Sequence, residues 1–135
     1  MENPSAFPME EPNDGFAQYF VGQSYLAPVL EAPQIAIHNV TFEPGCRNNW
    51  HIHHNAAQVL IAVGGRGYYQ IEGQEPKELK AGQAVCIPAD TKHWHGAAPG
   101  ESFSHLAFMV PAGDPASMSN EWLEPVDAEA YGKLA

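Results

Sequence analysis

The chain has 135 residues, with 16 acidic side chains against 6 basic ones, 7 histidines and a formal charge of −10 at pH 7. That length suits one compact domain, and the negative charge would repel phosphate backbones and anionic lipid, so neither nucleic acid nor a membrane surface is expected as a partner. Two cysteines without a CxxC pair exclude a disulfide scaffold or a zinc ribbon. No apolar run approaches the ~20 residues that cross a bilayer, and no basic-then-apolar leader opens the chain, so a cytoplasmic location is expected.

Residues 1–33 form an N-terminal arm rich in proline and turn formers, yet it carries Phe16, Tyr19, Phe20 and Tyr25. Those rings imply packing on something, either the chain's own domain or a neighbouring subunit. From Ile35 the pattern changes to short runs of branched and aromatic residues closed by Gly or Pro, predicting strands near 35–42, 47–53, 57–63, 67–72, 84–88, 92–96 and 102–110. Val63-Gly64-Gly65-Arg66-Gly67 reads as a tight hairpin turn, because no Walker lysine and no helical periodicity follow it. Trp50, Trp94, Phe103, Phe108 and Met109 are expected to fill the core, and Tyr68 and Tyr69 to face opposite ways. The barrel core is placed at 34–112. A C-terminal segment, 113–135, packs on it and holds a short helix capped by Asp127. Many short strands of this kind point to an all-β barrel or double-sheet jelly roll.

Six of the seven histidines fall between 51 and 105. Alternation along a strand turns His51 and His53 to one face and Ile52 and His54 to the other; it likewise pairs His93 with His95, and sets His105 beside Phe103 and Ala107. Imidazole is the commonest ligand for borderline transition metals, and two of them at i, i+2 on a strand can reach one ion. His38 and His54 sit on no such pattern and read as structural.

The spacing is more specific still. Gly45-(x)5-His51-x-His53-(x)4-Gln58-(x)6-Gly65 resembles the first cupin motif with Gln in place of Glu. Gly82-(x)5-Pro88-x-Asp90-(x)2-His93 resembles the second, with Asp90 for its glycine and Ala97 for its asparagine. Over residues 15–131 the chain is similar to small single-domain cupins associated with carboxymuconolactone decarboxylases, and to bacterial cupin-type hydroxynitrile lyases, which generally have three residues rather than four before the Gln. The resemblance implies a cupin double-stranded β-helix with a metal held by His51, His53, Gln58 and His93.

Mainly nitrogen ligands favour one divalent transition metal, Mn, Fe, Ni, Co or Zn, over Mg or Ca. With an uncharged Gln the ion keeps its full charge, which suits Lewis-acid chemistry. His95 and His105 are the candidate acid/base groups, since both face inward and imidazole titrates near neutrality. The expected function is a metal-dependent lyase cleaving a C–C bond of a hydroxylated or carbonyl small molecule, in the manner of a hydroxynitrile lyase or a decarboxylase. A quercetinase-like dioxygenase and a non-catalytic cupin that binds a small ligand remain the alternatives. Arg47 and Lys92 are available to attract a carboxylate. Exposed sheet edges and the aromatic arm suggest a homodimer or higher homo-oligomer.

Overall fold

The computed structural model describes residues 1–135. Eleven strands occur in chain order: β1 Phe20–Val21, β2 Ser24–Glu31, β3 Ala36–Phe42, β4 Arg47–Asn48, β5 His51–His54, β6 Ala56–Ile71, β7 Lys77–Lys80, β8 Ala84–Ile87, β9 His93–Ala97, β10 Phe103–Pro111 and β11 Ser119–Trp122. One short helix, α1 Ala128–Gly132, follows, and the Asp127 carboxylate caps it by accepting from the Ala130 N–H. No helix is long and apolar enough to cross a membrane.

All neighbouring strands pair antiparallel, and β6 organises them. Its first half lies between β8 and β10 in a sheet that continues through β3 to β2. Its second half lies between β7 and β9, in a second sheet completed by β4, β5, β1 and β11. The two sheets form the walls of the β-barrel expected from the sequence.

The hairpin turn expected at 63–67 is not there. Residues 56–71 are one 16-residue strand that passes from one sheet to the other. The glycines serve the crossing rather than a reversal. At Gly65 φ is +68°, and a Cβ there would lie 1.9 Å from the Ser102 carbonyl oxygen. The register with β10 also slips between Ser104 and His105, a bulge that bends the strand where it changes sheet. The run expected at 47–53 is likewise divided, into β4 and β5 with Asn49 and Trp50 between them.

Apolar side chains fill two clusters. Inside the barrel, Phe42, Leu60, Ala62, Leu79, Ala97 and Phe103 pack around Cys46, and each large side chain buried there contributes about 1.5–3 kcal/mol. Outside the second sheet, Trp94, Tyr68 and Ala98 are covered by Val126 and Tyr131 of the C-terminal segment, whose Tyr131 hydroxyl donates to the Ala97 carbonyl. Trp94 and Phe103 are core residues as expected, whereas Trp50, Phe108 and Met109 are only half-buried. Tyr68 faces the outer cluster and Tyr69 packs against the inner one.

The N-terminal residues lie on the chain's own barrel. Asn39, Thr41 and Ser104 point outward from β3 and β10 yet are fully buried. Asn39 donates to the Pro8 carbonyl at 2.8 Å and accepts from the Ser104 hydroxyl at 2.7 Å. The segment around Pro8 thus satisfies a row of polar groups that the sheet alone would leave to water. Phe20–Val21 and Ser24–Glu31, within the stretch read as an arm, are strands of the barrel.

Candidate metal centre

Strand alternation places the histidines as the sequence implied. His51 and His53 are buried on β5 while Ile52 and His54 are only half-buried. β5 pairs with β9 so that His51 stands directly opposite His93, which brings imidazoles from two strands to one point. The candidate ligand atoms of His51, His53 and His93 all lie within 4.8 Å of one another.

Hydrogen bonds orient these rings. His51 Nδ1 lies 2.9 Å from the Asn49 carbonyl oxygen and His93 Nδ1 lies 2.9 Å from that of Thr91. A carbonyl only accepts, so both rings carry their proton on Nδ1 and present a bare Nε2 lone pair. His53 Nδ1 faces Asn120 Oδ1 at 2.7 Å. Gln58, inward on β6, sets Oε1 3.1 Å from Nε2 of both His53 and His93. Lone pairs with no proton between them repel unless a cation lies among them, so the donor set fits a divalent ion. Turned over, the same amide would donate to those two nitrogens.

Burial holds the rings neutral. It pushes His93 from 6.5 down to about 4 and drives His51 well below its ordinary value, with repulsion from His93 and His53 adding to the effect on His51. His53 is lowered too, mainly by burial, which outweighs the opposite pull of the Asn120 and Gln58 amide oxygens beside its nitrogens. All three are therefore neutral at pH 7, the form in which an imidazole can ligate an ion.

His95 and His105 form a second pair beside the first. His95 Nδ1 donates to His105 Nε2 at 3.0 Å, and the His105 Nδ1–H is directed at the Leu106 carbonyl at 3.3 Å. Asn48 accepts from the His95 backbone N–H at 2.9 Å, while its Nδ2 lies 3.4 and 3.2 Å from the two ring nitrogens. Near-equal distances put the amide over the ring face, close to both nitrogens and aligned with neither lone pair. Burial lowers His95 well below 6.5 and takes His105 to about 4.

A cavity of about 160 Å³ reaches this floor of His51, His53, Gln58, His95 and His105, under apolar walls that include Phe16, Phe20, Leu26, Val40 and Trp122. His38 does not line it. His54 points outward, and its Nε2 lies 2.7 Å from a Glu121 carboxylate oxygen. The basic residues offered as carboxylate anchors are engaged elsewhere. The Arg47 guanidinium lies 4.1 Å from the centre of the Tyr131 ring, and the Lys92 ammonium is paired with Glu124 at 2.8 Å and Glu72 at 3.2 Å. No charged side chain lines the cavity.

Asn48, Asn120 and Trp122 are site residues that the sequence reading missed. The break at Asn49–Trp50 resets the alternation, so Asn48 faces the cavity; an unbroken strand would have turned it away. β11 is polar and mostly exposed, without a hydrophobic period to announce it.

The cupin domain model matches residues 38–111. A curated protein, (R)-mandelonitrile lyase of Granulicella tundricola, is 38% identical over 120 residues, covering 87% of this chain and 88% of that one. The crystal structure of a cupin-like protein from Thermotoga maritima superposes with a TM-score of 0.85 at 31% identity, over 97% of each chain. DMSP lyase DddQ from Ruegeria pomeroyi, at 18% identity and a TM-score of 0.63 over 85% of this chain and 57% of that one, shares the fold.

Proposed function

The chain belongs to the cupin family, and from that premise we propose that it is a metal-dependent lyase that cleaves the C–C bond of a neutral hydroxylated substrate, with an aryl cyanohydrin such as mandelonitrile as the first to test. The observation that carries the reading is the adjacency of two histidine sets: the candidate ligand atoms of His51, His53 and His93 gather at one point, and the His95 ring, bonded to His105, lies 5.5 Å from the His51 ring. A divalent ion from the Mn, Fe, Ni, Co and Zn group held by His51, His53, His93 and Gln58 would supply a Lewis acid for the substrate oxygen.

The chain's own residues do the rest. His95 Nε2 takes the hydroxyl proton, the C–O bond becomes a carbonyl, and the C–C bond breaks with its electron pair leaving on cyanide. His95 then returns the proton, so that aldehyde and hydrogen cyanide depart. While His95 carries the extra proton, its Nδ1–H bond to His105 Nε2 strengthens, which holds the ring in place and spreads the charge. The apolar wall of Phe16, Phe20, Leu26, Val40 and Trp122 accommodates the organic group. A lining without charged side chains disfavours substrates that need a cationic residue to hold a distant carboxylate.

The test is to measure bound metal in the purified protein, then follow aldehyde release from racemic mandelonitrile before and after chelation and reloading. Metal-dependent release is the expected result. A fully loaded protein that leaves cyanohydrins at the background rate would overturn the reading, and oxygen uptake in its place would favour a dioxygenase.

A further inference from the structure

An imidazole offers Nε2 to an ion only while its proton sits on Nδ1. His51 and His93 are held in that form by carbonyls two residues earlier, which cannot donate. His53 has no such carbonyl. Its Nδ1 meets the Asn120 side chain at 2.7 Å, 67 residues further along the chain, while its Nε2 meets Gln58 Oε1 at 3.1 Å. No backbone carbonyl fixes its proton, so of the three rings His53 alone depends on side chains for its tautomer. With the proton on Nε2 it would donate to Gln58 and lose its lone pair at the centre.

We infer that Asn120 is a positioning residue for the metal centre: by accepting from His53 Nδ1 through Oδ1, it selects the tautomer whose Nε2 faces inward. This rests on the reading of His51, His53 and His93 as an ion site. It makes β11, a strand outside the matched cupin region, part of that site. β11 is well fixed for the purpose. It pairs with β5 so that Asn120 stands opposite His53 and Trp122 opposite His51. The Trp122 ring stacks on Tyr19 at 4.5 Å and 4°, and Glu121 holds His54 at 2.7 Å. Asn120 itself is exposed, so its replacement removes an acceptor and no core packing.

Wild type, Asn120→Leu, Asn120→Asp and Glu121→Ala are compared in two measurements: Zn²⁺ affinity by chelator competition, and the tautomer of His53 in metal-free protein by ¹⁵N imidazole NMR. Asn120→Leu is expected to weaken Zn²⁺ binding by about 10–100-fold and to shift His53 towards the Nε2–H form. Asn120→Asp, which keeps an acceptor, restores both readouts. Glu121→Ala removes an outward-facing contact of the same strand while the β5 ladder and the Asn120 acceptor stay in place, and it leaves both unchanged. The inference is overturned if Asn120→Leu keeps the Nδ1–H form and the wild-type affinity, if Asn120→Asp behaves like Asn120→Leu, or if Glu121→Ala weakens binding equally. A wild type that binds no Zn²⁺ overturns the metal reading instead, and the NMR measurement still decides the role of Asn120.

Discussion

Lowering the pH from 6.5 towards 4 should destabilise the metal-free protein through its buried histidines. His93 and His105 are buried, and burial brings both from 6.5 down to about 4. In the unfolded chain they titrate near 6.5, so between these limits the unfolded state binds protons that the folded state refuses, and stability falls as pH falls. The contribution is fully present above pH 6.5 and is lost on the way down to about 4, at roughly 1.4 kcal/mol per histidine per pH unit. Each ring accounts for about 3 kcal/mol, and the pair for about 7, against a total stability of about 5–15 kcal/mol for a domain. His51, His53 and His95 shift in the same direction and steepen the loss. The assay is urea unfolding of chelator-treated protein at pH 7.5, 6.5, 5.5 and 4.5, with the slope against urea monitored so that a change in midpoint reads as a change in stability. A midpoint that stays constant or rises between pH 6.5 and 4.5 would refute the claim that these rings are buried uncharged.

Two substitutions probe other parts of the structure. His105→Phe keeps a ring against Phe42 and Phe103 but removes the acceptor 3.0 Å from His95 Nδ1. Cyanohydrin cleavage should drop by about 10²–10⁴-fold in kcat with bound metal unchanged by elemental analysis, and an unaltered kcat would remove His105 from the chemistry. Gly65→Ala sets a Cβ 1.9 Å from the Ser102 carbonyl oxygen at a φ of +68°. The left-handed backbone alone costs about 1–3 kcal/mol, and the clash adds to it, so soluble yield and thermal midpoint should both fall; a wild-type midpoint would mean that β6 does not cross here.

How much of this was visible in the sequence depends on the range of the signal. The His-x-His pairs were legible because alternation is a property of one strand, and β5 and β9 obey it. The glycines at 64, 65 and 67 misled because a turn and a sheet-to-sheet crossing make the same local demand for residues without a Cβ. What separates them is whether β10 and β9 continue the ladder on either side, and that is a long-range fact. β7 was invisible for another reason: Lys-Glu-Leu-Lys has no branched run, and Leu79 alone is buried. β2 was hidden by Pro28, which a strand on the sheet's outer edge tolerates because its missing N–H costs no ladder bond.

The same distinction runs through the site. The motif residues His51, His53, Gln58 and His93 lie on three strands, and each was found by spacing along the chain. The partners that choose their proton positions divide into two kinds. Asn49 and Thr91 act through backbone carbonyls, which every residue possesses, so no choice of side chain at those positions could advertise the role. Asn120 acts through its side chain, but on a strand that only pairing with β5 creates. A sequence can therefore announce where lone pairs gather while remaining silent about what frees them, because the first is written in periodicity and the second in hydrogen bonds that exist only after folding. Among the three rings, that silence matters for His53 alone, whose state is open to change by a single side chain.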